Sequence, residues 1–183
     1  MSKRIKYSYT NPHEKRKHYL CPADIEVLLG RLPEEVFERL RNVHFNDRAW
    51  GNRRLGYVNR GCREIAICAL PPKVSLSKFF VRRSGQRRVQ GSPELFGAKR
   101  GVQWPETAVR RFLLYDVFLH ELGHLQLIDP TAQRTWRKFA SETKAQEFAN
   151  DWRTSLWSKP FDHPDPIHNP ATEEELEQIV SVV

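Results

Sequence analysis

Residues 118–128 read FLHELGHLQLI, with His120 and His124 four positions apart and Glu121 between them. On a helix, residues four apart are neighbours on one face, with Cβ atoms about 5–6 Å apart. Two imidazoles so placed can reach one ion at the roughly 2.0–2.1 Å of a zinc–nitrogen bond. The helical twist turns Glu121 about 100° from His120. It therefore lies beside such an ion rather than among the same coordination positions, where a general base for activating water belongs. Gly123 has no side chain to obstruct that space. The competing reading is a packed helix whose histidines are satisfied by ordinary core neighbours.

A catalytic zinc takes three protein ligands and keeps one position for water. One known extension of the pattern needs Gly at 127 and His at 130, but the chain has Leu127 and Pro130. The next helical stretch, RTWRKFASETKAQEFANDWRTSLW (134–157), groups Ala145, Phe148, Ala149, Trp152 and Leu156 on one face. At 100° per residue, Glu142 falls about 60° from the centre of that face and Glu147 nearly opposite it. Glu142 is thus the expected third ligand, with Glu147 and Asp151 as an alternative pair. Asp116, one turn before His120, could fix an imidazole tautomer as carboxylates behind metal ligands do, or could pair with a surface arginine. Gln146, one turn after Glu142, could orient it or simply meet water.

The elements that must hold these residues can also be read. From Pro105 the apolar run reaches Ile128 before Asp129-Pro130 ends it, predicting a helix of about 22 residues, roughly 33 Å long. Large apolar residues nearly all round it mark a central, buried helix. Upstream, PADIEVLLGRL (22–32) and PEEVFERLRNV (33–43) each open with Pro at a tolerated first helical position and show helical spacing. VHF (43–45), RLGYV (54–58) and REIAICAL (63–70) read as strands, with NRG (59–61) as a hairpin turn. Residues 77–103, rich in Gly and basic side chains, read as a long loop or a loosely formed hairpin, either a substrate-facing flap or a plain surface insertion. The tail from 158 to 183 is Pro-rich, carries His163 and His168, and ends in a short helix whose Thr172 and Glu175 fit a capping box.

At 183 residues the chain suits one domain with a real core. Residues 1–20 are expected to be a mobile basic segment and 21–183 the folded unit. No apolar run approaches the roughly 20 residues of a membrane span, and no secretory leader is evident. The three cysteines, Cys21, Cys62 and Cys68, form no CxxC pair; a cytoplasmic compartment with reduced thiols is expected. Residues 1–111 hold 24 Lys+Arg against 10 Asp+Glu, and residues 112–183 hold 6 against 12. The basic half could attract nucleic acid or an acidic protein, or merely solvate the surface.

HELGH is the HExxH signature of zincin metallopeptidases. With E142-T-K-A-Q-E-F-A149 it resembles the gluzincins, whose third ligand is a Glu on a later helix. The form E-x-x-A-x-x-F-A is similar to the second motif of the ImmA/IrrE-type and HtpX/Ste24-type peptidases, with Gln146 where those carry Asn or Asp. The likeness covers roughly residues 115–153. It implies an α+β, zincin-like fold: a small, mostly antiparallel sheet packed on a central HExxH helix, followed by a second ligand-bearing helix. It further implies Zn²⁺ held by His120, His124 and Glu142, with Glu121 as base in hydrolysis of a protein or peptide, conceivably with a regulatory role. An edge strand beside the active helix would bind substrate backbone; Ile65–Leu70 is the candidate, with an internal core strand as the alternative. Oxyanion donors could come from Tyr57, Tyr115, His163 or an arginine. Two other readings stay open: a zinc-stabilised binding module without turnover, and a nucleic-acid-associated protease similar to the SprT type.

Overall fold

The structure, a computed structural model, describes residues 4–47, 54–80, 89–127 and 135–179, with the backbone alone for 135–140. Four strands form one sheet in the order β1 (Lys6–Tyr9), β2 (Asn42–Asn46), β4 (Glu64–Cys68), β3 (Gly56–Asn59). The pairs β1–β2 and β2–β4 are parallel and only β3–β4 is antiparallel, so the α+β class holds but the expected mostly antiparallel sheet does not. Local sequence speaks only for the β3–β4 hairpin. The parallel pairings arise because long connections return the chain to the same end of the sheet.

The opening segment, expected to be mobile, supplies β1. Tyr7 and Tyr9 align with Val43 and Phe45, the Tyr9 ring stacks on Phe45 at 4.9 Å, and Tyr19 and Leu20 are buried. A backbone bridge between Lys17 and Leu70 ties the segment down again. Helix α1 (Pro22–Gly30) follows as expected, entered through a Pro and an Asp24 carboxylate that accepts from the Cys21 N–H at 2.9 Å. The second expected helix shrinks to a single 3₁₀ turn, Glu34–Val36. Val43 and Phe45, both fully buried, alternate with half-buried Asn42 and His44. This period of two commits the chain to a strand immediately after the turn.

The sheet has one apolar face, carrying Val43, Phe45, Ile65 and Ile67, and one polar face where His44 bonds Ser8 and Thr10. Across the apolar face lies a continuous helical rod: α2 (Glu106–Phe112), a π segment (Leu113–Phe118) and α3 (Leu119–Gln126). Every residue of the π segment is buried, in keeping with the all-round apolar pattern. Turns of this kind recur at functional sites, and here it directly precedes the two histidines. Gly56 allows the rod to sit close to β3. A Cβ there would meet Val117 Cγ1 at 3.0 Å, the Ala66 carbonyl at 3.0 Å and Glu121 Cγ at 3.2 Å.

The long helix α4 (Thr135–Trp157) packs on α3. Within 77–103 the described residues form only short 3₁₀ turns, Ser77–Phe80 and Pro93–Phe96; positions 81–88 lie outside them. Phe80 and Phe96 nonetheless enter an aromatic cluster with Trp104 and Phe112, so the segment is anchored on both sides. The tail docks through polar contacts. Arg111, fully buried, donates to the carbonyls of Phe96 and Pro166 and to both Glu175 oxygens. Glu175 also completes the capping box with Thr172 that opens α5 (Glu173–Glu177). Among the described residues, no helix is long and apolar enough to cross a membrane.

Candidate metal centre

The rod and α4 bring His120, His124 and Glu142 together. His120 Nε2 lies 3.1 Å from His124 Nε2 and 3.2 Å from Glu142 Oε2, and His124 Nε2 lies 3.1 Å from Glu142 Oε1. Donors at 2.0–2.1 Å around a tetrahedral ion stand about 3.3–3.4 Å apart. The three side chains are therefore within a few tenths of an ångström of that arrangement with a face open to the cleft. Among the described residues, this is the one group of three or more His, Cys, Asp or Glu able to share an ion; the alternative pair Glu147 and Asp151 stands outside it.

The close approach of the two helices depends on Gly123, though not through the expected opening of access. Its missing Cβ would sit 3.0 Å from Ala145 Cα and 3.1 Å from the Ala145 carbonyl. Gly123 thus lets α3 and α4 touch at backbone level, one turn beyond Glu142, and that contact carries the carboxylate to the imidazoles.

Asp116 does not bond to a histidine directly, as one reading had it. Its Oδ1 accepts from the Gln146 amide at 3.0 Å and from Arg153 at 2.7 Å, in line with the arginine alternative, though this arginine is buried. A carboxylate facing an arginine can only accept, so the Gln146 NH₂ must face Asp116. Gln146 Oε1 then faces His120 Nδ1, 3.1 Å away, and requires a proton there. In neutral His120 this leaves the lone pair on Nε2, the tautomer a metal ligand needs, whereas in the protonated ring Nε2 donates to Glu142. Asn150 closes the set, accepting from Gln146 and Arg153 at 3.1 and 2.9 Å. Gln146, Asn150 and Arg153 are spaced at four and three, a buried polar stripe beside the apolar face of α4. That spacing was legible, but the sequence does not show that the stripe faces Asp116.

Electrostatics follow from this crowding. Hydrogen bonds from His120 and His124 hold the Glu142 carboxyl well below the usual carboxylate range. Burial works against charge on His120, yet the bond to Glu142 and the nearby Glu121 and Asp116 carboxylates raise its pKa. Burial pushes Glu121 up, against the pull of the two imidazoles.

Glu121, the three clustered residues and Gln146 line a cleft of about 570 Å³. Its opposite wall is β3, not the strand expected. β4 is internal, flanked by β2 and β3, and its Ile65, Ala66 and Ile67 are buried. Among the described residues, the sheet edge that borders the cleft is Gly56–Asn59. Cys68 N–H bonds the Leu55 carbonyl at 2.9 Å, so by the alternation of an antiparallel ladder the backbone groups of Gly56 and Val58 point outward. Of the candidate oxyanion donors, Tyr57 and arginines 54 and 60 line the cleft. Tyr115 is instead fully buried against His168, and His163 packs on Phe161 in the tail. Gly56 escaped sequence reasoning because strand position, not residue type, makes it part of the cleft.

Comparison with protein-family models, with curated proteins and with solved structures finds no match.

Proposed function

We propose that this chain is a zinc-dependent peptidase, with His120, His124 and Glu142 as ligands and Glu121 as general base. The observation that carries the reading is the convergence of the two imidazole Nε2 atoms and the two oxygens of the Glu142 carboxylate, at 3.1–3.2 Å, from two separate helices, with a second acidic side chain, Glu121, beside them in the cleft. Zinc in such a site is a Lewis acid that acidifies water and polarises a carbonyl oxygen. The protein's own groups do the rest. Gln146, held by Asp116, keeps the His120 proton on Nδ1. The outward amides of Gly56 and Val58 receive an extended substrate backbone as an added strand. Glu121 takes a proton from the attacking water and delivers it to the amine nitrogen as the C–N bond breaks. Its raised pKa brings it nearer the operating range of a base that must both accept and release a proton.

The three thiols are free, which fits the reducing, cytoplasmic location we assign, and a regulatory protease is the role we favour. The test is metal content and peptide hydrolysis in the wild type, Glu121→Gln, Glu142→Ala and Glu147→Ala. The reading expects stoichiometric zinc in the wild type and in E121Q, hydrolysis abolished in E121Q, and zinc lost only from E142A. Zinc with no hydrolysis of any peptide mixture would favour the silent binding module; loss of zinc from E147A alone would overturn the third ligand.

A further inference from the structure

We infer that the cleft selects extended peptides carrying acidic side chains on either side of a central apolar residue. The inference rests on the peptidase reading for the placement of the scissile bond but not for the binding itself. Two guanidinium groups, Arg54 and Arg60, line the cleft, and both residues are exposed. Neither has a carboxylate partner among the described residues. Arg54 lies over the Tyr57 ring, 5.5 Å from its centre, which limits the orientations its planar fork can take. Two acidic groups of the cleft are already paired, Asp116 with Arg153 and Glu142 with the two histidines, while Glu121 makes no ion pair with Arg54 or Arg60 and feels the two imidazoles more strongly than Arg54.

Register sets where the substrate carboxylates would fall. Gly56 abuts Glu121, so the reacting bond lies opposite this part of β3. Arg54 lies two residues before Gly56, the first residue of β3, and Arg60 four residues after it, in the turn that follows the strand, so at about 3.4 Å per residue they stand at most about 7 and 14 Å away in opposite directions. A peptide added as a strand along Gly56 and Val58 therefore brings residues two and four positions from the centre to the arginines. The same cleft has an apolar portion of its lining, Phe79, Val89, Phe112 and Val117, which takes an aliphatic or aromatic side chain. An edge strand with outward amides and an apolar patch suit a peptide rather than a nucleic acid, which needs a continuous basic track and stacking faces.

Binding is measured by fluorescence anisotropy on full-length, zinc-loaded E121Q, which cannot turn over in the proposed mechanism. The probes are labelled nonapeptides with a central Leu and Glu, Gln or Lys two and four positions to each side; single-stranded oligothymidylate is the competitor. The Glu peptide should bind about tenfold tighter than the Gln peptide and the Lys peptide weaker still. Most of that advantage should vanish as ionic strength rises from about 0.05 to 0.5 M. Arg54→Glu with Arg60→Glu should invert the order, and Arg54→Gln and Arg60→Gln singly should each lose about threefold for the Glu peptide. Equal affinity for the three peptides, or no binding of any, overturns the inference whether or not the wild type cleaves. Displacement of the Glu peptide by oligothymidylate at tighter affinity overturns it in favour of nucleic acid. Selective binding without wild-type cleavage would uphold it while removing the peptidase reading.

Discussion

Replacing Gly123 by Ala adds one methyl group at the tightest point between α3 and α4. The new Cβ would lie 3.0 Å from Ala145 Cα, 3.1 Å from the Ala145 carbonyl oxygen and 3.1 Å from Phe148 Cδ1. Ordinary carbon–carbon contact is about 3.5–4.0 Å, so α4 must retreat by about 0.5–1 Å, because backbone atoms cannot rotate out of the way as a side-chain tip can. Glu142 lies three residues before Ala145 and moves with it. A metal site tolerates about 0.2 Å of error in ligand distance, so the carboxylate would leave its coordination position. Folding stability should change much less. Overpacking costs about 1–3 kcal/mol, offset by the roughly 1 kcal/mol that Ala gains over Gly inside a helix. The expected result is at least a tenfold weaker zinc affinity in competition with a chromophoric chelator. Apo-protein stability in urea should fall by no more than about 2 kcal/mol. Gly30→Ala is the control, since nothing lies within 4 Å of its added Cβ; it should leave zinc affinity unchanged. Wild-type zinc affinity in G123A would refute the claim that this helix contact sets the third ligand.

The polar stripe predicts that Gln146→Leu weakens zinc binding about 10–100-fold, the usual range for a group behind a ligand; the same chelator competition checks it. Arg111→Met leaves the half-buried Glu175 and the carbonyls of Phe96 and Pro166 without their donor and should cost about 1–3 kcal/mol, read as a lower urea midpoint. His168 makes folding pH-dependent. Burial first, then neighbouring His163 and Arg31, hold its pKa near 4 against an ordinary 6.5, although Asp165 and Asp24 pull the other way. The folded state keeps the ring neutral while the unfolded chain takes up a proton, so its contribution is complete above about pH 6.5 and declines as pH falls toward 4. The loss amounts to about 3 kcal/mol. Urea melts of the apo protein across that window should show it, and His168→Asn, which keeps an acceptor for the Tyr115 hydroxyl, should flatten it.

Much of the centre was readable because a helix converts spacing into geometry with little help. Two histidines four apart must share a face, and the angular position of Glu142 against the apolar stripe of α4 separates it from Glu147. The buried rod was legible from its apolar residues, though its π segment was not, since no Pro or Gly marks Leu113–Phe118. Three of the four strands and the β3–β4 hairpin were found, but β1 and the parallel neighbours of β2 were not. The β-branched content that made REIAICAL a strand is the same for a central position and an edge, and only pairing distinguishes them. The opening segment shows the same limit: its Lys and Arg residues signalled solvent, while Tyr7 and Tyr9 acquired a role only once β2 lay beside them.

What the amino-acid order determined by itself was therefore local: which turns are helical, which face each side chain takes, and which atoms could act as ligands or base. Whether those atoms meet was decided by packing between distant segments. The bare Gly123–Ala145 contact, the seating of Gly56 against Val117 and Glu121, and the chain from Arg153 through Asp116 and Gln146 to His120 each join residues far apart along the chain. Short-range stereochemistry is written into each turn, but a few tenths of an ångström between two helices depend on every side chain that packs around them.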